Sequence, residues 1–575
     1  MRKEEIVDLL NEIADVLEIK GVGFKPRAYR RAAREIEAVT EEIEKIHEEE
    51  RLQEIEAVGE NIAQKISEFM DTGKLQYLEK LREEIPVDIK ILKVQGLGPK
   101  TAKKLFEELN VTDLNSLKES AEGGKIRKLE GLGKKTEEKI LSGIEIVQKT
   151  SSKNLLGEIL PSVKEIIAEL ENSGLFSNLK IAGSLRRKKH LIGDVDILAS
   201  SSKPKEAMEV FTKISDKPTI LGKGTTKSSI RTRAGLQVDL RIIDEESFGA
   251  ALQYFTGSKE HNVRLREIAI DQGYKLNEYG LFEAEDEGRP VARRREEDIY
   301  DKLGLSWMPP ELREDRGEIS AAKNGTLPDL IELQDIKGDL HCHSETSSDA
   351  RASLEELAEA SKKRGYEYLA LTDHVTMSGI IMGVDEDNFN NYLREIREVN
   401  DKLDGFRFLA GLEVNIKKDG SLDLPNKLLK ELDIVLAGIH SNFQMSEEEN
   451  TKRLIRAIEN DIVDIIAHPR GRKIGERGSL DLDFPRILEK AKKTGTALEI
   501  NASPVRSDLD DIPIKQSIER GVKLSIGTDS HRVESLEDID LGLFLARRGW
   551  CRKEDVLNTL SYNELNRWLD KDRTI

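Results

Sequence analysis

The chain has 575 residues, a formal net charge of −18 and 38% hydrophobic residues. That length exceeds what one ordinary core supports and predicts three to five domains, while no apolar run approaches the roughly 20 residues that cross a bilayer. Cys342 and Cys551 are too few for a disulfide framework, and the acidic, amphipathic N-terminus lacks the apolar core of a secretory signal, so a cytoplasmic address and no membrane partner are expected.

Residues 1 to about 150 carry Glu, Lys and Leu at helical spacing and predict an all-helical region, divided at 1–85 and 86–150. Within it one pattern occurs three times: AVGENIAQKI at 57–66, VQGLGPKTAKKL at 94–105 and LEGLGKKTEEKI at 129–140. Each reads as a helix, a glycine turn and a second helix, whose first N–H groups can hold a phosphate oxygen. The candidate contacts are Gly59, Gly96, Gly98, Gly131 and Gly133. One such turn is more often plain helix packing; three together resemble helix-hairpin-helix motifs, which implies a sequence-independent grip on the DNA backbone. The acidic net charge argues against a nucleic-acid partner, but the basic clusters at 25–34, 186–189 and 293–295 supply a local phosphate footprint, or else solvated helix faces.

From 151 to 315 helices alternate with the strand-like runs LKIAG, DVDILAS and QVDLRII, an α/β pattern divided at 151–240 and 241–315. Asp194 and Asp196 sit two apart on one predicted strand and so share a face, and Asp239 on another strand completes a carboxylate set for Mg²⁺. Two-metal phosphoryl transfer needs such a set. The turn Gly183-Ser184-Leu185-Arg186-Arg187, followed by Gly193, offers N–H, hydroxyl and guanidinium donors for a triphosphate. A paired Asp-Val-Asp alone more often marks a turn or cap; the glycine-serine turn and the third aspartate favour catalysis.

These residues resemble the nucleotidyltransferase superfamily, and Tyr254-Phe255-Thr256-Gly257-Ser258 narrows the resemblance to family X DNA polymerases similar to polymerase beta. The resemblance implies a palm carrying Asp194, Asp196 and Asp239, and a thumb. It implies that Tyr254, Phe255 and Gly257 lie against the sugar of an incoming dNTP, and that Asn262 contacts the nucleotide. Lys188 stands where such chains commonly carry glycine, and the third hairpin is additional. Lys65 occupies the position of the family's Schiff-base lysine, a sugar-lyase nucleophile; an ordinary surface lysine is the competing reading, and Asn61 stands where the family's lyase site has a second lysine.

The polar stretch from about 311 to 333, with Asn-Gly and Leu-Pro-Asp turn signals, reads as a linker, placed at 316–335. Beyond it, six of the nine histidines follow apolar runs: KGDLHCH, YEYLALTDH, DIVLAGIH, DIVDIIAHP and KLSIGTDSH, with FRFLAGLEV and TALEINA completing seven. Alternation with helices predicts a β/α barrel whose ligands meet at the C-terminal strand ends. His341, His343, Asp349, His374, Glu413, His440, His468, Asp529 and His531 form an N/O set suited to Zn²⁺ or Mn²⁺, with Cys342 pointing away.

This half resembles the PHP (polymerase and histidinol phosphatase) domain over 336–575. The predicted architecture is therefore multidomain: an N-terminal all-α helix-hairpin-helix region, an α/β nucleotidyltransferase palm plus thumb, and a C-terminal distorted (β/α)7 PHP barrel. The resemblance implies a monomeric repair polymerase acting on gapped or primer-template DNA with dNTPs. It adds a Mn²⁺-favouring 3'-5' exonuclease in the same chain, with abasic-site or 3'-phosphate processing in some members. The open alternatives are a polymerase fused to a small-molecule phosphatase of the histidinol phosphate kind, and a non-catalytic DNA-end-binding scaffold.

Overall fold

The computed structural model describes residues 2–570 apart from 39–42, 56, 86, 89–90, 93, 95–96, 151–152 and 377–381. It divides into two compact units, one covering residues 1–151 and the other almost all of 152–575. In the first, helices Arg2–Lys20, Lys25–Ala38, Glu60–Thr72 and Gln76–Glu84 enclose Leu10, Ile13, Ile36, Ile66 and Leu78. A second cluster holds Leu105, Leu117 and Ile140 between Pro99–Leu109, Leu114–Glu122 and Lys134–Thr150. Asp113 and Ser116 start the middle helix with a reciprocal capping box, satisfying two end groups that the helix cannot bond internally.

The leading elements of the first and third hairpins are shorter than the helices expected from sequence. They are single 3-10 turns, Leu52–Glu54 and Ile126–Lys128, each burying one apolar anchor, Leu52 or Ile126. In the third, Gly123 and Gly124 end the preceding helix, which leaves room before Gly131 for little more than one turn. Glu137, wholly buried, accepts from the Arg127 backbone N–H at 2.9 Å and ties that turn to the following helix.

The second unit begins with a five-stranded sheet in the order Asn178–Ile181, Asp194–Ser200, Gln237–Ile242, Lys227–Arg231, Thr219–Lys223. Only the Asp194 and Gln237 strands pair in parallel. The three runs expected from sequence are all strands. Helices Leu156–Asn172 and Pro204–Phe211 cover the sheet through Val163, Leu170 and Phe211. Next come helices Phe248–Thr256 and Lys259–Asp271, a three-stranded antiparallel sheet and helix Glu296–Lys302.

The polar stretch expected as a linker is folded instead. Glu318–Asn324 is a helix whose Ile319 and Ala322 enter the core formed by Leu265, Leu281 and Tyr300. Just before it, Arg313 is fully buried and donates to Glu296 at 2.7 Å, while Glu318 bonds the His261 ring at 2.7 Å. These charged residues are buried because each has a hydrogen-bonded partner elsewhere in the chain.

From Gly338 on, seven parallel strands follow one another in chain order, and all seven runs expected from sequence are present. The last strand returns to the first through Asp529 N–H to the His341 carbonyl, 2.9 Å, and His343 N–H to the Ser530 carbonyl, 2.8 Å. Strands buried on both faces account for the near-continuous apolar runs. Ser353, Ser446 and Ser561 open helices with capping boxes to glutamates three residues on.

Candidate active sites

The pleat sets the first site. In Asp194–Ser200, Asp194 and Asp196 fall on one side and Val195 is buried on the other, as a period of two requires. The parallel register places Asp239 directly opposite Asp196. Burial, followed by the charges of Asp194 and Asp239, pushes the Asp196 carboxyl up to about 6. Burial also raises Asp239, but hydrogen bonds from Lys227, Ser229 and Gln237 outweigh it and hold that carboxyl below its ordinary value. Lys227 Nζ lies 2.8 Å from Asp239. Sequence reasoning missed this lysine. Ser229 opposes Asp239 across the antiparallel pair, so Lys227 is its diagonal neighbour; the Arg-Ala-Gly turn at 233–235, which returns the chain to the Asp239 strand, was the available signal.

Gly183 has φ +62, and a Cβ there would fall 2.6 Å from Asp196 Oδ2, so the turn admits only glycine beside the carboxylates. Ser184 is half-buried in that turn and Gly193 is exposed before the Asp194 strand. Arg187 donates from Nη1 to the Thr256 carbonyl and pairs through Nε with Glu314 at 3.0 Å. Arg186 bonds Thr256 Oγ1 at 2.7 Å and lies in the buried pair of Glu296 with Arg313. Both arginines thus lock the glycine turn to the Tyr254–Gly257 segment. Gly257 has φ +69, and a Cβ there would meet Arg187 Nη1 at 3.1 Å. Tyr254 and Phe255 stack edge to face with centroids 5.2 Å apart. Asn262 is fixed at both ends of its amide, donating to the Tyr254 carbonyl at 2.7 Å and accepting from Gln253 at 2.8 Å. The structure therefore gathers the aspartates, the Gly183–Arg187 turn and the Tyr254–Asn262 segment into one region.

In the barrel, Glu413 is the hub. Its Oε1 meets His468 Nε2 at 2.7 Å and His440 Nε2 at 3.1 Å; its Oε2 meets His374 Nδ1 at 3.1 Å and His341 Nε2 at 3.6 Å. Asp529 faces His343 at 3.3 Å, and Asp349 faces His531 at 3.5 Å and His374 at 3.6 Å. All nine expected ligands converge. Burial grades from His341, His343 and His468 at 0% exposure to Asp349 at 40%, which gives the site a floor and a mouth. Among the described residues three groups have ligand atoms within 4.8 Å of one another: His343, His374, His531; His341, His343, Asp529, which shares His343 with the first; and Glu413, His440, His468.

The chemistry of this set fits divalent metal. His343 Nδ1 and His468 Nδ1 are buried without a hydrogen-bond partner, and His440 Nε2 and Glu413 Oε2 each meet a neighbouring group at 3.1 Å without a well-formed hydrogen bond, a deficit that cation binding in the cavity would reduce. Burial alone would raise Glu413, but the charges of His440 and His341 hold it well below the carboxylate range. His468 and Asp529 take φ of +30 and +55, strained values of the kind found where function fixes geometry. Gly438 and Gly527 leave room for the rings: a Cβ would fall 2.9 Å from Glu413 Oε1 at the first and 2.4 Å from His341 Cβ at the second. Cys342 is buried with the apolar residues outside this cavity, as alternation along its strand predicts.

Outer partners orient the ligands and were missed from sequence. Glu499 holds His341 Nδ1 at 2.6 Å, Asn415 holds His440 Nδ1 at 2.7 Å, and Asn501 and Arg506 both reach Asp529 at 3.1 Å. Such groups fix ring orientation and tautomer. Glu499 and Asn501 lie two apart at the end of TALEINA, the same spacing that singled out His341 and His343.

In the first unit, Gly59 and Gly98 are the residues preceding helices Glu60–Thr72 and Pro99–Leu109, in extended rather than left-handed conformation; neither start has a side-chain cap, and a Cβ at either would touch nothing. Gly131 has φ +78, and Gly133 immediately precedes Lys134–Thr150. Gly96 lies outside the described residues. Lys65 is half-buried on Glu60–Thr72, donates to the Asn61 carbonyl at 3.1 Å and sits 4.7 Å from the Tyr77 ring centroid. Burial, then the charge of Lys25, lowers its pKa.

Comparison with known proteins agrees with this geometry. Residues 1–75 match a helix-hairpin-helix domain, 88–145 a SAM-like helix-hairpin-helix tandem, 251–314 the DNA polymerase beta thumb and 339–503 the PHP domain. The DNA polymerase/3'-5' exonuclease PolX of Bacillus subtilis is 38% identical over 576 residues, covering 100% of both chains. The chain belongs to the PolX family. Its C-terminal part is also similar to proteins without a polymerase half. A probable phosphatase of Caldanaerobacter subterraneus is 34% identical over 41% of this chain and 91% of its own length, and one of Proteus mirabilis is 30% identical over 38% and 89%. In this PolX-family chain the barrel thus corresponds to a unit that also occurs by itself. No helix among the described residues is long and apolar enough to cross a membrane.

Proposed function

We propose that this chain is a DNA polymerase that fills short gaps in DNA repair and trims 3' ends with its own barrel domain. The observation that carries the polymerase half is the parallel register that sets Asp239 against Asp196 on the face shared with Asp194. These aspartates would hold Mg²⁺, which when bound supplies charge neutralisation for in-line phosphoryl transfer. Ser184 and Arg187 bind the triphosphate of a dNTP, with Gly183 and Gly193 giving the turn its close approach. Asn262, clamped by Gln253 and Tyr254, orients the nucleotide against the Tyr254-Phe255 edge, and Gly257 lets Arg187 approach that segment. The glycine turns at Gly59, Gly98, Gly131 and Gly133 hold the DNA backbone on either side of the gap through helix-start N–H groups.

The nine barrel ligands would hold Mn²⁺ or Zn²⁺, which supply Lewis acidity for phosphodiester hydrolysis. Glu499 and Asn415 keep His341 and His440 in the orientations that leave their Nε2 atoms facing the cavity. Lys65, with its lowered pKa, is a candidate sugar-lyase nucleophile; borohydride reduction in the presence of abasic DNA should leave a covalent adduct that Lys65→Ala lacks, and an equal adduct in both proteins would remove that role.

The deciding experiment uses labelled one-nucleotide-gapped DNA with purified protein, first with Mg²⁺ and dNTPs, then with Mn²⁺ alone, followed by product sizing. Extension in the first and stepwise shortening in the second are expected. The phosphatase-like relatives favour a second reading of the barrel, hydrolysis of a small phosphate monoester, and extension without shortening would point to it. Neither product would leave a non-catalytic end-binding scaffold.

A further inference from the structure

Helix Ile539–Arg548 of the barrel domain lies against the palm turn that carries Arg187. Leu541, Phe544 and Arg548 are spaced by three and four residues and so share one helix face. Leu541 is buried in the palm core with Val163 and Ile192. The palm meets it with Gly157, where a Cβ would fall 2.8 Å from Leu541 Cδ1. The Phe544 ring centroid lies 4.4 Å from Lys188 Nζ, and Lys188 itself takes φ +56. Arg548, with 2% of its side chain exposed, donates from Nη1 to the Arg187 carbonyl at 2.6 Å and to Glu314 Oε1 at 3.1 Å, and pairs through Nη2 with Asp511. The same Glu314 oxygen accepts from Arg187 Nε at 3.0 Å, and Lys189 Nζ lies 3.4 Å from its other oxygen.

We propose that Arg548 of the barrel domain is a positioning residue for nucleotide addition, acting through Arg187. It fixes the Arg187 carbonyl and takes a share of Glu314, so that the guanidinium stands where it meets the triphosphate. Leu541 and Phe544 seat the helix; Arg548 makes the coupling specific. Without it the Glu314 charge falls on Arg187 and Lys189 alone, drawing the guanidinium towards the carboxylate while its backbone loosens. Misplacement of a substrate-positioning group by about 1 Å can cost on the order of 10²-fold. The inference rests on the reading of Arg187 as a triphosphate ligand.

The test compares wild type, Arg548→Lys, Arg548→Ala, Arg187→Ala and the Arg187→Ala/Arg548→Lys double variant in gap filling, with barrel exonuclease activity and thermal unfolding measured on the same preparations. Lysine keeps the charge but cannot reach the carbonyl and both carboxylates together. Expected are a roughly tenfold rise in the KM for dNTP with a smaller change in kcat for Arg548→Lys, unchanged exonuclease, and no further KM effect in the Arg187→Ala background. An unchanged KM, or the same fold effect with and without Arg187, would show Arg548 to be interdomain packing alone. Should Arg548→Ala fail to fold, the lysine variant carries the result. If active wild-type protein adds nucleotides and Arg187→Ala leaves the KM intact, the triphosphate reading of Arg187 fails and the relay fails with it; inactivity of wild type itself overturns the polymerase reading and so both.

Discussion

The two candidate metal sites are built on opposite plans. The palm set uses carboxylates alone on an open sheet, with Asp194 exposed and Asp239 paired to a lysine. The barrel set is rich in imidazole and enclosed, and among the described residues four of its buried polar atoms make no well-formed hydrogen bond. The palm can keep its groups satisfied by protein and solvent until a substrate arrives, as suits a surface that must admit a duplex and a nucleotide. The barrel leaves buried polar atoms at a cost of roughly 1–3 kcal/mol each unless cations satisfy them. Barrel metal is therefore expected to survive dialysis, whereas palm metal should exchange freely.

The largest effects should come from breaking each site separately. Asp239→Ala removes the carboxylate opposite Asp196 and should lower nucleotide addition by at least about 10²-fold, the scale of losing one preorganised electrostatic group, while 3' shortening persists. His341→Ala should give the reverse pattern. Product sizing with each variant decides, and parallel loss of both activities in either protein would mean that the sites are not independent. Next in size is Glu499→Gln. The residue touches no cavity-facing nitrogen but holds His341 Nδ1 and accepts from the His468 backbone at 2.6 Å. Loss of such a partner typically costs 10–100-fold in metal affinity, so the variant should retain less metal after dialysis, read by elemental analysis, with nucleotide addition unaltered.

Legibility from sequence followed burial and period. The seven barrel strands were visible because residues enclosed on both faces give apolar runs, and the convergence of the nine candidate ligands because each closes a run or lies a few residues beyond one. Glu499 and Asn415 were not, because a buried carboxylate or amide serving a distant ring looks like any polar residue. The palm's outer strand Thr219–Lys223 is exposed at every position and carries no hydrophobic alternation, which hid both it and the sheet edge beside Lys227. At 311–333 charge was mistaken for solvation: Arg313, Glu311 and Glu318 are buried and Arg313 and Glu318 are bonded to residues far away in the chain. Gly59, Gly98, Gly131 and Gly133 lie at or just before helix starts, as the glycine pattern suggests, but the length of the element before each turn depends on packing that periodicity does not reveal.

A stability effect separates the buried palm–thumb ion pair from the palm aspartates. Burial would raise Glu296, yet the charges of Arg313 and Arg186 pull it from 4.5 down to about 2. A carboxylate depressed in the folded state contributes stability that is fully present above its unfolded pKa and is lost as pH falls from about 4.5 towards 2. The shift corresponds to about 3 kcal/mol. Glu296→Gln should therefore lower stability by about that amount at pH 7, and the gap between variant and wild type should narrow on acidification, as followed by chemical denaturation. A constant gap down to pH 2.5 would assign the loss to packing rather than charge.

The smallest expected effect tests how the palm tolerates its own negative charge. Lys227 neutralises Asp239 across a pair that is 43% exposed on the lysine side, so solvent screening limits its worth to about 0.2–1 kcal/mol. Lys227→Ala leaves the three aspartates less compensated and should make them a better cation site. The Mg²⁺ concentration giving half-maximal nucleotide addition should fall by up to about fivefold, the equivalent of 1 kcal/mol, with exonuclease activity unaltered. The opposite shift, or a higher KM for dNTP at saturating Mg²⁺, would mean that the ammonium group serves the nucleotide's phosphates rather than holding the place of a cation at Asp239. In the barrel most of the neutralising charge comes from the ligand histidines themselves, and Arg506, 3.1 Å from Asp529, is the non-ligand cation that corresponds to Lys227.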